Sequence, residues 1–389
     1  MAIPEAGREP AIEGLRAVAA GFVLVFHLIG AIAIVRPDRI SRRFEFWTDQ
    51  FGHFGVALFF VVSGFVLYRP WLRAELGVAP RPQLGRYFVR RFARIYPAYW
   101  VAAIVYLAWL LTPEPIGVSA WVEYLALVQN YRNGHFTAGL GVAWTLVIEV
   151  SFYLCVPVVA WCARSVTPSP RSVVVRQGIA IGTLLAVGHA TRFIALHLEP
   201  VPSGSWQFWR FPWVTLLGFV DWFAFGMGLA LIAAVNERAG ANRAAAFLRR
   251  HGSGVLAAGV VMYCGAHLAD FPTGRGVAMN DAQRLIRGGV IPFAAALVAA
   301  PVLLAAPMWL TRVLARPVAV WLGTISYGLY LWQIPAIRLV RNLIEDGHLP
   351  ARPELLVVAS TTFTVGAATA SWYLLERPTM QVIGRLRPG

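Results

Sequence analysis

The chain has 389 residues, of which 58% are hydrophobic and only 14% are charged, yet its formal net charge is +15. Soluble globular domains carry about 25% charged residues, so the composition excludes soluble and disordered proteins. All 34 basic residues are arginine, and a basic nucleic-acid-binding protein would not contain apolar runs of ~20 residues.

Ten apolar segments predict an all-α polytopic membrane helix bundle. They cover residues 14–35, 54–72, 96–112, 144–163, 178–197, 213–235, 253–268, 288–308, 318–337 and 354–374. If the N-terminus lies in the cytoplasm, the larger share of the arginines also lies on the cytoplasmic side. The positive-inside rule therefore predicts that both termini are cytoplasmic, that is, N-in and C-in. We expect one membrane-embedded domain over residues 1–389 in the inner (plasma) membrane, with loops at 112–117 and 167–172. We expect no additional hydrolase-like domain.

The first segment carries two ionisable side chains, Arg16 and His27. His27 follows Arg16 by eleven residues, which is about three turns of a helix. In a helix the two side chains therefore lie on nearly the same face and ~16 Å apart in depth. Ionisable groups are costly in lipid and are therefore candidate site residues. A neutral imidazole can act as a base near neutral pH. His27 is thus either a general base or a histidine hydrogen-bonded within the bundle.

An arginine cluster precedes the third segment, at Arg86, Arg90, Arg91 and Arg94. In a helix, spacings of three and four place Arg94 on one face with Arg90 or with Arg91. Guanidinium groups suit phosphate oxygens, so this cluster predicts a cytoplasmic site for the phosphates of an acyl-CoA. The alternative is that the cluster only sets topology and contacts lipid headgroups.

Glu149 lies ~8 Å below the outer end of the fourth segment, and His27 ~12 Å below the outer end of the first. Because these depths are similar, we expect Glu149 to orient His27 and to stabilise its charged form. The alternative is a structural ion pair with an arginine. The amphipathic stretch Ala120–Gln129, in the longest predicted connection, either lies on the membrane surface or re-enters it.

Further polar side chains lie within later segments. Asp221 either binds a sugar hydroxyl or pairs with Arg210. Ser63, Tyr330 and Gln333 are candidates for substrate binding, although such residues in membrane helices more often serve packing. The sequence contains no zinc, P-loop or serine-hydrolase signature.

Seven blocks in order resemble the acyltransferase type 3 family of integral-membrane O-acyltransferases. They are Glu13–Ala20 with His27, Gly55–Phe65, Arg91–Pro97, Trp144–Glu149 with Phe152, Tyr153 and Pro157, Phe225–Gly228, Ile325–Trp332, and Glu376–Pro378. Glu13 stands where the family commonly has aspartate. Gln333 stands where many members have histidine, and glutamine can only hydrogen-bond.

The resemblance implies transfer of an acetyl or short acyl group from cytoplasmic acyl-CoA to a hydroxyl, without a metal or nucleic acid. The acceptor would be a carbohydrate, a glycolipid or a glycosylated metabolite such as a macrolide sugar. The competing hypothesis is a transporter or flippase with an intramembrane His/Arg/Glu proton path. The expected site residues are His27 and Glu149 for catalysis, Arg16, Arg91 and Arg94 for the donor, and Ser63, Asp221, Tyr330 and Gln333 for substrate binding.

Overall fold

A computed structural model describes residues 9–40, 42–110, 117–131, 139–164, 169–197, 214–240, 243–269 and 285–385. Within these ranges the chain is helical and contains no strand, which confirms the predicted all-α class. The predicted loops at 112–117 and 167–172 and the side chain of Arg210 fall wholly or partly outside the described residues.

The described residues up to Gly240 form seven α-helices. They are α1 (Pro10–Val35), α2 (Arg42–Glu75), α3 (Leu84–Val105), α4 (Val118–Leu125), α5 (Ala143–Cys162), α6 (Pro170–His197) and α7 (Leu216–Ala239). Pro10 begins α1 because proline lacks the N–H that the first helical turn leaves unpaired. Gly240 ends α7 with φ +72°, a left-handed conformation that glycine adopts without steric cost.

The described residues from Arg243 onward form seven more. They are α8 (Arg243–Ala269), α9 (Ile291–Leu303), α10 (Trp309–Leu314), α11 (Pro317–Thr324), α12 (Ser326–Glu345), α13 (Pro353–Ser371) and α14 (Arg377–Arg385). Short π-helical segments follow α3, precede α9 and join α13 to α14, at Tyr106–Leu110, Ile286–Val290 and Trp372–Glu376.

Six helices of the described chain are long and apolar enough to cross a bilayer. They are Pro10–Val35, Phe51–Glu75, Ala143–Cys162, Pro170–His197, Leu216–Ala239 and Pro353–Arg385. Several predicted boundaries differ from the structure, two of them in ways that bear on the site. Helix α3 begins twelve residues before the predicted segment. Its first turns are polar, so an apolar segment does not include them. The predicted segment 318–337 is divided at Ile325 between α11 and α12.

Helix α2 lies at the centre of the bundle, in contact with α1, α5, α7 and α9. Its crossing with α7 is close because Gly64 lies against the backbone of Phe223, and Gly226 of α7 lies against the backbone of Val61. Side chains larger than glycine would keep the two backbones apart. This close crossing fixes α2, whose other face lines the cavity described below.

Ion pairs join the neighbouring ends of three helices, which the predicted topology assigns to the cytoplasmic side. Arg69 of α2 contacts Glu9 at 2.8 Å and also Glu237 of α7, while Arg73 Nε lies 2.8 Å from Glu237. The ends of α1, α2 and α7 are thereby held together.

A second polar contact marks the other end of α1. Arg36 donates two hydrogen bonds to Asp38, at 2.9 and 2.7 Å, and a third to the carbonyl of Ala351 at 3.3 Å. These hydrogen bonds lower the pKa of the exposed Asp38 carboxyl to about 2. The contact joins the end of α1 to the start of α13.

Candidate active site

A cavity lies between α1, α2, α3, α5 and α12. Helix α2 supplies most of its apolar wall, and the other helices supply most of its polar groups. The lining residues are Arg16, Val56, Phe59, Phe60, Val62, Ser63, Val66, Leu67, Arg91, Arg94, Ile95, Thr145, Leu146, Glu149, Tyr153, Tyr327 and Tyr330.

Three arginines face this cavity: Arg16 from α1, and Arg91 and Arg94 from α3. The stretch before the third apolar segment is helical, and a spacing of three places Arg91 and Arg94 on one face. Glu149 is the carboxylate among the lining residues, so the lining has an excess of positive charge. The structure therefore gathers all three predicted donor-binding arginines around one cavity.

The three arginines differ in their surroundings. Arg16 lies 4.0 Å from Glu13, and Arg94 is attracted by Glu13, Glu149 and Glu376. The Nε of Arg91 is buried and has no hydrogen-bond partner within the described part of the chain. A buried donor that the described protein atoms do not pair is available to a ligand.

Glu149 is held by two hydroxyl groups. Ser63 and Tyr153 both donate to its Oε1, at 3.1 and 2.8 Å. Thr145, Glu149 and Tyr153 are spaced four residues apart on α5, so they line up along one helical face. This face forms one wall of the cavity.

Tyrosines of α12 form part of the same cavity. Tyr330 lies 2.6 Å from the hydroxyl of Thr145 and donates to the carbonyl of Val142 at 3.1 Å. Tyr327 donates to the carbonyl of Ile95 at 2.8 Å. These contacts fasten α12 to α3 and α5 around the cavity.

His27 and Gln333 lie together beside this cavity but are not among its lining residues. The Nδ1 atom of His27 lies 2.9 Å from Val23 O and 3.3 Å from Gln333 Oε1. Gln333 is fully buried, and its amide nitrogen donates to Tyr330 O at 2.9 Å. Tyr330 thus connects this pair to the cavity wall.

The predicted pairing of Glu149 with His27 differs from the hydrogen bonds of the structure. The carboxylate binds Ser63 and Tyr153, and the imidazole contacts Gln333. Depth along two helices does not determine which helices are neighbours. Here α1 packs on α2, α11 and α12, while α5 packs on α2 and α7, so α2 contacts both helices.

Asp221 belongs to a separate cluster. Its fully buried carboxylate forms a two-point ion pair with Arg192, with 2.8 Å between Nη1 and Oδ1, and lies 3.2 Å from His189 Nδ1. It is not part of the cavity lining. The sequence predicted an arginine partner as one alternative, but named Arg210 rather than Arg192.

Sequence reasoning missed Thr145 and Tyr153 as site residues and Arg192 as a partner. The spacing of Thr145, Glu149 and Tyr153 was a usable signal, because it repeats the helical period. Arg192 gave no comparable signal, since its contact with Asp221 joins two different helices. Among the described residues, no group of three histidine, cysteine or acidic side chains could hold a metal ion.

Comparison with known proteins adds a family match. The family model described as "Acyltransferase domain" matches residues 9–376. The peptidoglycan O-acetyltransferase OatA of Listeria monocytogenes serovar 1/2a is 25% identical over 391 residues, covering 95% of this chain and 55% of that protein. The O-acetyltransferase OatA of Staphylococcus aureus is 23% identical over 387 residues, covering 95% and 57%.

Nodulation protein 10 of Rhizobium leguminosarum bv. viciae is 24% identical over 348 residues, covering 84% of this chain and 82% of that protein. The chain thus spans little more than half the length of the two O-acetyltransferases. No solved structure matches it.

Proposed function

This chain belongs to the acyltransferase type 3 family, and on that premise we propose that it transfers an acyl group from cytoplasmic acyl-CoA to a sugar hydroxyl. The observation that carries this proposal is the cavity in which Arg16, Arg91 and Arg94 meet. We further propose ten spans, with both termini on the cytoplasmic side of the inner membrane, in one membrane-embedded domain.

The donor site follows from charge and shape. The phosphates of a CoA thioester need several cationic donors, and arginine can bind them with two parallel hydrogen bonds. The unpaired Nε of Arg91 offers one such donor. The apolar face of α2, with Phe59, Val62 and Val66, suits the acyl chain and the pantetheine arm.

His27 is the proposed general base. It takes the proton of the acceptor hydroxyl while the hydroxyl oxygen attacks the thioester carbonyl carbon. The C–S bond then breaks, and the proton passes to the departing CoA thiolate. Positioned bases of this kind contribute about 10²–10⁴-fold to a rate.

Glu149 is the second proposed catalytic group, in a role revised from the sequence prediction. Held by Ser63 and Tyr153, its carboxylate stabilises nearby positive charge, on the arginines at rest and on the His27 imidazolium during transfer. Ser63 and Tyr330 line the cavity and are proposed to contact substrate. The substrate-binding role of Asp221 stays a prediction.

The acceptor is proposed from the relatives. One relative is named a peptidoglycan O-acetyltransferase, and peptidoglycan is a carbohydrate polymer. This name supports the proposal that the present chain transfers an acetyl group to a carbohydrate. A glycolipid or a glycosylated metabolite such as a macrolide sugar offers the same chemical group, a sugar hydroxyl. The family match supports an enzyme over the transporter alternative.

Calorimetric titration of the purified protein with acetyl-CoA tests the donor site. We expect Arg91→Gln and Arg94→Gln each to weaken binding about 10–100-fold, because a hydrogen bond to a charged group contributes about 1.5–3 kcal/mol and 1.4 kcal/mol is about tenfold in affinity. The matched control is Arg90→Gln, because Arg90 is exposed on the same helix and its loss should leave binding unchanged.

Equal binding by wild type and both variants would refute the donor site. Substrate-dependent proton flux in vesicles without any CoA thioester would instead support the transporter.

A further inference from the structure

Helix α4 is joined to α3 by hydrogen bonds at its C-terminal end. The hydroxyl of Tyr99 donates to Tyr124 O at 2.6 Å, and Trp100 Nε1 donates to Leu125 O at 2.9 Å. Tyr99 follows the cavity-lining Arg94 on α3 by only five residues. The sequence left open whether this stretch lies on the membrane surface or re-enters the membrane, and these contacts support re-entry.

The turn that follows α4 carries two buried amide side chains, Gln129 and Asn130. Only 1% of Gln129 and 4% of Asn130 is exposed. The amide nitrogen of Asn130 donates to Trp144 O at 2.8 Å and to Val214 O at 2.7 Å. Because a carbonyl oxygen can only accept a hydrogen bond, these two contacts identify the nitrogen end of the amide. They also connect the turn to the start of α5.

The amide oxygens of Gln129 and Asn130 are buried acceptors. The residues that the structure describes offer neither oxygen a hydrogen-bond partner. Buried acceptors that these protein atoms do not pair are available to a ligand. An amide oxygen only accepts hydrogen bonds, so the ligand that it suits must donate an O–H or N–H group. Hydroxyl groups meet this requirement, and phosphate oxygens do not.

The amide pair adjoins the cavity at the first turn of α5. Asn130 binds Trp144 O, and the next residue, Thr145, lines the cavity with its hydroxyl 2.6 Å from that of Tyr330. Neither Gln129 nor Asn130 is itself among the lining residues. The pair is therefore an extension of the cavity at the N-terminal end of α5.

The arginine end of the cavity lies further along the same helix. Tyr87 of α3 donates to Tyr153 O at 3.1 Å, and the guanidinium of Arg91 lies 5.9 Å from the centre of the Tyr87 ring. Tyr153 follows Trp144 by nine residues, or ~14 Å along the helix axis. Glu149 lies between them on α5, so the arginines and the amide pair lie towards opposite ends of one cavity wall.

We propose that Gln129 and Asn130 form a binding site for the acceptor sugar, in which their amide oxygens accept hydrogen bonds from its hydroxyl groups. This inference rests on the proposed function, because it supplies the acceptor side of the same cavity. Guanidinium groups bind phosphate oxygens, whereas amide oxygens bind only donors. The two ends of the wall therefore select different substrates, which meet near Glu149.

Gln333 is the amide that the sequence predicted to bind substrate, and it differs from this pair. Its nitrogen donates to Tyr330 O at 2.9 Å, and its oxygen lies 3.3 Å from His27 Nδ1. Both ends of the Gln333 amide thus contact the protein. Its substrate-binding role stays a prediction.

The test measures acetyl transfer from acetyl-CoA to soluble peptidoglycan fragments, a glycolipid and a macrolide glycoside. Kinetics then use the probe that the wild type acetylates fastest. Gln129→Met nearly keeps the side-chain size but removes the acceptor oxygen. We expect the acceptor KM to rise about tenfold, as for the loss of one hydrogen bond, with KM for acetyl-CoA unchanged. The unfolding temperature should not fall, because replacing an unpaired buried polar group with an apolar one is nearly neutral.

Gln177→Met is the matched control and should give the opposite result. Gln177 is buried, accepts a hydrogen bond from Tyr68 at 2.6 Å and is not among the cavity-lining residues. Its substitution should lower the unfolding temperature and leave the acceptor KM unchanged. Asn130→Leu should produce both effects, because it also removes the hydrogen bonds to Trp144 and Val214.

The outcomes distinguish this inference from the proposed function. If the wild type acetylates none of the three probes, the proposed acceptor class is wrong, and the acceptor site is wrong with it. If the wild type is active and Gln129→Met keeps the wild-type acceptor KM, the function stands and the acceptor site is wrong. A rise in KM for acetyl-CoA alone would assign the amide to the donor and would also overturn the inference.

Discussion

Buried charged side chains in this bundle differ in how completely the protein pairs their polar atoms. Asp221 and Arg192 form a two-point ion pair in which both side chains are almost completely buried. Arg91, by contrast, has a buried nitrogen without a hydrogen-bond partner in the described chain. The first arrangement suits a structural role, and the second suits ligand binding.

Asp221→Asn should therefore destabilise the protein. The substitution leaves Arg192 buried without its counter-charge, and breaking a buried pair costs about 3–5 kcal/mol. Thermal unfolding in detergent measures the loss, with the exposed Asp346→Asn as control. If stability is unchanged and the acceptor KM rises, Asp221 is a substrate-binding residue as the sequence predicted.

The sequence located most polar residues of the cavity but not their contacts. Arg16, Arg91, Arg94 and Glu149 were identifiable because a charge in an apolar helix, or in a cluster beside one, is costly and therefore conspicuous. Which groups touch depends on the packing of helices distant in sequence. For this reason the Ser63 contact to Glu149 and the Gln333 contact to His27 could not be predicted.

Among the helices, the crossing of α2 and α7 determines how the cavity wall is held. The type and approximate positions of the helices could be predicted from apolar runs. The start of α3 at Leu84 could not be predicted in this way, because its first turns are rich in arginine. That early start matters for the site, since it places Arg91 and Arg94 on a regular helix. The crossing itself depends on glycines whose importance the apolar pattern does not indicate.

Gly64→Ala should disturb this crossing. A methyl group at residue 64 would overlap the backbone of Phe223, and at residue 226 it would overlap that of Val61. Overpacking of this kind costs about 1–3 kcal/mol, seen as a lower unfolding temperature. Gly228→Ala is the matched control, because no atom lies within 4 Å of its added methyl group. If Gly64→Ala and Gly228→Ala were equally stable, the crossing of α2 and α7 would accommodate the added methyl group and the prediction would be wrong.

In the molecule as a whole, the two ends of the bundle carry different polar contacts. Arg69, Arg73, Glu9 and Glu237 join helix ends on one side, while Arg36 and Asp38 join α1 to the region of α13 on the other. The all-helical class was predictable from apolar runs of ~20 residues. The number of spans depends on the apolar segments and their direction on a charge bias, and both stay predictions.

Cysteine labelling tests the predicted direction. In a background with Cys155, Cys162 and Cys264 replaced by serine, Asp346→Cys should react with a membrane-impermeant maleimide in right-side-out vesicles. Ser169→Cys should react only after the vesicles are opened, because we expect the connection between α5 and α6 to face the cytoplasm. The reverse pattern would invert the topology and place the arginine cavity on the wrong side for acyl-CoA.

The gathering of Arg16, Arg91 and Arg94 around one cavity also has a consequence for thermodynamic linkage. Arg91 and Arg94 repel each other, and a polyanionic donor relieves that repulsion only in the folded protein. A ligand that binds the native state alone stabilises it by about 2.7 kcal/mol at a concentration 100 times its Kd. With acyl-CoA as the proposed donor, we expect the unfolding temperature of this protein to rise with the concentration of acyl-CoA.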